Sequence, residues 1–168
     1  MADRLLIAVL GNRNSGKSTT WYRLFGTNDL RTGINLRPLN LNSAQWVEVF
    51  LINGSPQERE IEIDDLLPEE FPQIVLCSTQ YHEMVTKTFD HFFNNGYEVI
   101  VQWLNPGRND AEAYQDNLEI REYLLNSGVT LQVRDGQVDP ASRVKEIRQF
   151  ILGWATHRDL VCTKFPGP

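Results

Sequence analysis

The sequence has few residues that could cross-link the fold or bind a metal. Its 168 residues include two cysteines, Cys77 and Cys162, which lie far apart in the chain. The three histidines have neither mutual spacing nor cysteine partners for a zinc site. We therefore expect no disulfide framework, a fold held by its hydrophobic core, and a reducing, cytoplasmic environment.

The sequence also lacks long apolar runs and an excess of basic residues. No apolar run reaches the roughly 18 residues that a membrane-spanning helix needs. Sixteen Lys and Arg residues against 22 Asp and Glu residues leave a net charge of −6. This balance argues against a broad basic face for nucleic acid and against a polybasic membrane anchor. We expect a soluble protein that binds neither nucleic acid nor membrane.

Apolar runs alternate with longer periodic stretches along the whole chain. This alternation is typical of an α/β fold with a largely parallel sheet. The predicted strands are residues 5–10, 34–41, 46–52, 74–77, 99–104 and 129–133. Because only four residues separate the second strand from the third, these two strands should pair as an antiparallel hairpin.

Helices are predicted between these strands. The first begins after the first strand and ends at Gly26, and the last has Pro140 at its first position. Two further helices are predicted at residues 81–94 and 111–125. The length fits one domain, which we place at residues 1–160, followed by a C-terminal tail at 161–168.

Residues 11–18 carry the most informative motif of the chain. They read G-N-R-N-S-G-K-S and match the phosphate-binding pattern G-x-x-x-x-G-K-[S/T] in full. The two glycines let successive backbone N–H groups surround a phosphate, and the helix that follows adds its N-terminal dipole. We expect Lys17 to bind the β- and γ-phosphates and the Ser18 hydroxyl to bind Mg²⁺.

The sequence therefore predicts a site for a nucleoside triphosphate with Mg²⁺. A buried strand precedes the motif and an amphipathic helix follows it, which is the context that the motif requires. The predicted nucleotide contacts from this segment are Gly11, Asn12, Arg13, Asn14, Ser15, Gly16, Lys17, Ser18 and Thr19.

The order of the predicted elements resembles that of the small GTPases of the Ras and Rab type. Both have a strand, a phosphate loop, a helix, an antiparallel hairpin and then three strand–helix units. The resemblance implies a three-layer P-loop NTPase fold. It also implies a six-stranded, mainly parallel sheet with one antiparallel hairpin strand and a Ras-like order.

The segment after the third strand resembles one motif of that family in part. Residues 53–59 read N-G-S-P-Q-E-R where small GTPases carry D-T-A-G-Q-E-R or a close variant. In the family, the aspartate reaches Mg²⁺ through water, the glycine N–H meets the γ-phosphate, and the glutamine orients the attacking water. Gln57 is the match to that catalytic glutamine. Asn53 lacks the charge of the aspartate, and Pro56 has no N–H to offer.

Two more positions are assigned through the resemblance. Thr32 matches the switch threonine that binds Mg²⁺ in the family, so Ser18 and Thr32 form the predicted metal pair. Asn105 stands where the guanine-reading motif N-K-x-D begins, but the lysine and the aspartate are missing at their spacing. The resemblance thus implies a nucleotide contact at Asn105 without a strong choice between GTP and ATP.

These observations predict Mg²⁺-dependent binding of GTP or ATP with slow or no hydrolysis. The protein would act as a small GTPase-like switch, or as a module of a larger assembly with a protein partner. Whether it is an enzyme stays open at this point, because an interaction module that binds nucleotide without useful hydrolysis fits the altered motif nearly as well as a working NTPase does.

A P-loop kinase is the alternative function. The polar strand ends at residues 77–80 and 105–108 would line an acceptor pocket, and Arg108 and Arg121 would hold the transferring phosphoryl group. The short hairpin argues against this alternative, because kinases of this class place a helix between those two strands.

Overall fold

Strands and helices alternate along the described part of the chain, which is residues 3–33 and 35–164 of the computed structural model. The strands are β1 (Arg4–Gly11), β2 (Arg37–Asn40), β3 (Gln45–Ile52), β4 (Ile74–Gln80), β5 (Tyr97–Leu104), β6 (Thr130–Arg134) and β7 (Cys162–Thr163). The helices are α1 (Lys17–Phe25), α2 (Pro56–Arg59), α3 (Ile63–Leu66), α4 (Val85–Asn94), α5 (Ile120–Asn126) and α6 (Ala141–Thr156).

One mixed sheet contains all the strands in the order β2-β3-β4-β1-β5-β6, with β7 paired to β3. The pairs β3·β4, β4·β1, β1·β5 and β5·β6 are parallel. The predicted hairpin is confirmed, because β2 pairs antiparallel with β3. The fold is therefore the α/β fold with a mostly parallel sheet that the sequence predicts.

Two details of the predicted sheet are wrong. The order is not Ras-like, because β4 lies between β1 and β3 and pairs with both. Within residues 3–33 and 35–164 the sheet has seven strands and not six, because Cys162 and Thr163, in the predicted tail, pair with Trp46 and Gln45 at the start of β3. Both β1 and β4 are continuous apolar runs, so their local pattern does not indicate which neighbours they take.

Helices cover both faces of the sheet and bury two apolar clusters. The first cluster packs α1 and α6 against one face, and the second packs α4 and α5 against the other. Alternate side chains of β1 enter the two clusters because strand residues point to opposite faces. The first cluster takes Leu5, Ile7 and Val9, and the second takes Leu6, Ala8 and Leu10. Burying each of the larger side chains contributes about 1.5–3 kcal/mol, so β1 is a firmly held base for the loop that follows it.

The observed bounds of three helices agree only in part with the predicted bounds. Helix α1 ends at Gly26 as predicted, where φ is 73° and the N–H donates to the Tyr22 carbonyl. The predicted helix at 81–94 begins only at Val85, because residues 81–84 form a turn in which the Met84 N–H donates to Nδ1 of His82. The predicted helix at 111–125 is shortened to α5, because the Asp116 carboxylate accepts the backbone N–H groups that open it.

Two further predicted segments change in extent. The predicted strand at 34–41 is observed as β2, Arg37–Asn40, and its first residue, Ile34, lies outside the described residues. Helix α6, with 16 residues, begins at Ala141, one residue after Pro140. Among the described residues, no helix combines the length and the apolar character needed to cross a membrane.

Candidate phosphate-binding site

The loop of residues 11–18 joins the centre of the sheet to the N-terminus of α1. Gly11 is the last residue of β1, and α1 begins at Lys17. Between them, Asn14 with φ of 61° and Gly16 with φ of 101° take left-handed backbone conformations, which Asn and Gly adopt most readily. The chain therefore curls tightly just before a helix N-terminus, where an anion is stabilised.

Lys17 folds back over this loop and does not extend into solvent. Its Nζ donates to the carbonyl oxygens of Gly11 and Asn12, at 3.1 and 2.8 Å. Oε1 of Glu58 lies 3.3 Å from the same Nζ, and the lysine side chain is only 6% exposed. Burial lowers the pKa of Lys17, and the nearby carboxylates of Glu58 and Asp110 act in the opposite direction.

A cavity of about 600 Å³ opens beside Lys17. We call it the loop cavity; it is lined by Arg13, Asn14, Ser15, Gly16, Lys17, Ser18, Thr19, Glu58, Arg108 and Asn109. Its lining includes the cationic side chains of Arg13, Lys17 and Arg108 against the single carboxylate of Glu58. This cationic lining, next to a helix N-terminus, is suited to phosphate groups.

Three glycines make room for the loop. Ser15 is 1% exposed. A Cβ on Gly11 would lie 2.3 Å from Ser15 Oγ, and a Cβ on Gly107 would lie 2.4 Å from Ser15 Cβ. A Cβ on Gly136 would lie 2.9 Å from the Ser15 carbonyl oxygen. The segments that follow β5 and β6 therefore pack closely against the loop and fix its backbone conformation.

Two hydrogen-bonded contacts connect the segment after β5 to the same loop. The Arg108 N–H donates to the Ser15 carbonyl at 2.8 Å, which places the Arg108 side chain at the loop cavity. Oδ2 of Asp110 accepts the Gly107 N–H at 2.7 Å, and Oδ1 accepts a long hydrogen bond from Asn12 Nδ2 at 3.4 Å. Of the two arginines considered for a kinase, only Arg108 is at the cavity, because Arg121 is exposed on α5.

Gln57 is directed away from the loop cavity. Its Nε2 donates to Thr88 Oγ1 at 2.7 Å, and its Oε1 accepts the Gln80 N–H at 3.1 Å. The neighbouring Glu58 faces Lys17 instead, because residues 56–59 form the single helical turn α2. Ser55 caps that turn and Pro56 takes its first position, a preferred arrangement for these residue types.

The two residues of the predicted metal pair lie in different surroundings. Ser18 lines the loop cavity. Thr32 Oγ1 accepts hydrogen bonds from the Asn53 N–H at 3.1 Å and from Arg59 Nη1 at 3.2 Å, and Thr32 does not line that cavity. Ser18 and Glu58 supply oxygen donors of the kind that Mg²⁺ takes. No group of three or more His, Cys, Asp or Glu residues converges among the described residues.

Asn105 is occupied by a contact within the protein. Its Nδ2 donates to the Tyr114 carbonyl and its Oδ1 accepts the Tyr114 N–H, both at 2.9 Å. This two-point contact fixes the chain after β5, and Asn105 lines neither of the cavities near the loop. Its predicted role as a nucleotide contact therefore requires Tyr114 to release it.

A second cavity, of about 1170 Å³, adjoins the loop cavity and shares Gly16, Thr19 and Arg108 with it. We call it the α6 cavity, because residues 136–140 and Arg143, at the start of α6, form one of its walls. A second wall comes from the end of α1 and the residues just after it, namely Tyr22, Arg23, Gly26, Thr27 and Asn28. More than 100 residues separate the two walls in the sequence, so no local motif could reveal this cavity.

Of the site residues that the sequence analysis missed, Glu58 is the one that the sequence came nearest to indicating. It follows Asn53, the uncharged match to the family aspartate, by five residues. Its role depends on the short helix α2, which aims it at Lys17 while Gln57 points to α4. Arg108 and the glycines at 107 and 136 become recognisable only through their packing against Ser15.

The observed fold, an α/β fold with a mixed sheet, is compatible with a P-loop NTPase. No protein-family model matches the chain, and no curated protein shows significant sequence similarity to it. The assignment of a function therefore depends on the geometry of the two cavities.

Proposed function

We propose that this protein binds a nucleoside triphosphate, GTP or ATP, together with Mg²⁺. One observation carries the proposal: a complete phosphate-loop pattern stands between β1 and α1, with a buried Lys17 on the cavity that the loop lines. The loop carbonyls of Gly11 and Asn12 and the Glu58 carboxylate hold the Lys17 ammonium group at this cavity, next to the helix N-terminus where a phosphate would bind.

The residues of the loop cavity have distinct tasks in this proposal. The N-terminus of α1 and the loop backbone hold the phosphates, and Lys17 moves from its carbonyl and carboxylate partners to phosphate oxygens. Ser18 and Glu58 are the side chains that would hold Mg²⁺. The metal neutralises phosphate charge when it is bound.

Hydrolysis should be slow or absent. Asn53 carries no charge, and its Nδ2 donates to the Leu30 carbonyl at 3.0 Å. Gln57 is bonded to Thr88 and to the backbone of Gln80, so it is not available to orient a water molecule. We therefore favour a nucleotide-binding module that acts with a protein partner, either as a switch or within an assembly.

A P-loop kinase stays the second candidate because of one observation. Arg108 lines both the loop cavity and the α6 cavity. An arginine at such a junction is placed to stabilise a phosphoryl group between a donor and an acceptor. The α6 cavity would then hold the acceptor.

Isothermal titration calorimetry with ATP, GTP and their diphosphates, with Mg²⁺ and with EDTA, tests the proposal. We expect both triphosphates to bind and Mg²⁺ to strengthen binding. A folded protein that binds none of these nucleotides at millimolar concentration would refute it. Formation of the nucleoside diphosphate only when a phosphoryl acceptor is added, with the phosphoryl group recovered on that acceptor, would favour the kinase.

A further inference from the structure

Arg143 is a buried cation: burial lowers its pKa, and the Asp139 carboxylate, which does not lie within ion-pair distance, acts in the opposite direction. The residue is 4% exposed, and Nη1 donates to Thr20 Oγ1 at 3.2 Å. Its Nε has no hydrogen-bond partner, and Arg143 takes part in none of the ion pairs within 4.0 Å among the described residues. Buried guanidinium groups are normally paired, because an unpaired buried charge is strongly destabilising.

The position of Arg143 in its helix adds to the positive potential. It is the third residue of the 16-residue helix α6, whose first turn contains no acidic residue. Asp139, just before the helix, accepts the Ala141 N–H at 2.9 Å and lies 3.6 Å from Arg23 Nη2, with a 67% exposed side chain. Its carboxylate is therefore shared and hydrated, and it offsets only part of the charge at this helix N-terminus.

Arg143 lines the α6 cavity and lies close to Gly16, which lines both cavities. A Cβ on Gly16 would be 3.6 Å from Arg143 Nη2, so the guanidinium reaches the edge of the loop of residues 11–18. The α6 cavity is also lined by Arg23 and Arg108, against the single carboxylate of Asp139. Three arginines around a cavity of about 1170 Å³ leave ample space and positive charge for an anionic ligand.

We propose that the α6 cavity binds a phosphate group separate from those on the loop of residues 11–18, and that Arg143 and Arg108 hold it. A guanidinium presents a planar set of N–H donors that matches phosphate oxygens, and the unpaired Nε of Arg143 is one such donor. The phosphate comes either from the sugar of a nucleotide that carries a second phosphate or from a separate phosphorylated molecule. Both sources make the same contacts.

This proposal does not depend on Lys17, so it can be tested separately from nucleotide binding. Inorganic phosphate is titrated by ³¹P NMR against the Lys17→Ala protein, in which the loop cavity has lost its ammonium group. Adding Arg143→Gln should weaken phosphate binding about tenfold or more, the usual effect of a lost charge-assisted hydrogen bond. Adding Arg121→Gln, an exposed arginine on α5, should leave it unchanged.

Arg108→Gln provides a second variant in case Arg143→Gln does not fold, because Arg108 is exposed. It should weaken phosphate binding in the same direction. Equal phosphate affinity with and without these substitutions would overturn the proposal, as would an absence of phosphate binding at millimolar concentration. If the wild-type protein binds no triphosphate while Arg143-dependent phosphate binding persists, the proposed function fails and this inference stands.

The source of the phosphate is identified with two nucleotide probes. Adenosine 5′-monophosphate is compared with adenosine 3′,5′-bisphosphate on the wild-type protein, and the guanosine pair is treated in the same way. Tighter binding of the bisphosphate by about tenfold, lost in Arg143→Gln, assigns the phosphate to the nucleotide. Equal binding of the two probes, together with Arg143-dependent binding of inorganic phosphate, assigns it to a separate molecule.

Discussion

Oε1 of Glu58 lies 3.3 Å from Nζ of Lys17. A phosphate bound on the loop would contact the same ammonium group. Under the proposed function, the carboxylate and a phosphate therefore compete for one cation. Lys17 is buried and Glu58 is 29% exposed, so the ion pair belongs to the wall of the loop cavity and not to the open surface. Ligand binding and this ion pair are alternatives, which gives Glu58 a measurable role.

Glu58→Gln should strengthen binding of a triphosphate in EDTA by several-fold, because it removes both a competitor for Lys17 and a charge that repels phosphate. The free energy of unfolding without ligand should fall by about 1 kcal/mol, a discounted value because Glu58 is partly exposed. Calorimetry and urea denaturation measure the two effects. Glu62→Gln, which changes an exposed neighbour, should alter neither quantity. Unchanged affinity in Glu58→Gln would show that Glu58 does not compete with phosphate for Lys17.

Gly107→Ala should distort the loop of residues 11–18. The added Cβ would lie 2.4 Å from Ser15 Cβ and 2.8 Å from its Cα. Such overpacking costs about 1–3 kcal/mol of stability, and we expect nucleotide affinity to fall with it. Gly153→Ala is the matched control, because a Cβ at this exposed site on α6 meets nothing within 4 Å. It should stabilise the protein by about 0.5–1 kcal/mol. Equal urea midpoints for the two variants would contradict this packing.

Stability should fall at alkaline pH through Tyr97. Burial raises the pKa of this tyrosine to about 12, against a weaker opposing effect of Arg4, while the unfolded chain keeps a value of about 10. The folded state thus holds the phenol proton more tightly. Its contribution, about 3 kcal/mol, is complete below pH 10 and is lost as pH rises through 12. The free energy of unfolding of Tyr97→Phe should depend less steeply on pH over this window, and identical slopes would refute the assignment.

Base selectivity should be weak, and Asn105→Ala should not change it. Asn105 is held by the Tyr114 backbone, and the base-reading aspartate of N-K-x-D is absent. We expect GTP and ATP affinities to differ by much less than a thousandfold, which is about 4 kcal/mol. The substitution should lower the free energy of unfolding by about 1–2 kcal/mol, because it removes two hydrogen bonds. A large change in the GTP-to-ATP ratio would instead give Asn105 a role in reading the base.

The sequence predicts the elements of this fold well and their arrangement less well. The boundaries of β1, the start of α1 and the hairpin follow from local patterns, because apolar runs, a glycine-lysine motif and a four-residue connection leave few options. The position of β4 next to β1 does not, since parallel pairing joins residues such as Leu5 and Ile74 that are distant in sequence. Strand β7 has only two residues, too few to show a pattern.

The candidate site likewise has one part that the sequence predicts and another that it does not. The loop of residues 11–18 is visible in the sequence because all its functional residues are contiguous. Glu58 and Arg143 reach the cavities through tertiary packing, from segments about 40 and 125 residues beyond the loop. The resemblance to small GTPases directs attention to Gln57, whereas the helical turn α2 presents the next residue to Lys17.

Lys17→Ala tests the central claim most directly. Calorimetry compares Mg²⁺–ATP and Mg²⁺–GTP binding by the wild-type protein, by Lys17→Ala and by Lys145→Ala, which removes an exposed lysine on α6. Circular dichroism confirms that each variant is folded. We expect Lys17→Ala to lose about a hundredfold or more in affinity, because a charge-assisted contact to phosphate is removed. Lys145→Ala should bind as the wild type does. A folded Lys17→Ala protein with wild-type affinity would show that the nucleotide does not bind on this loop.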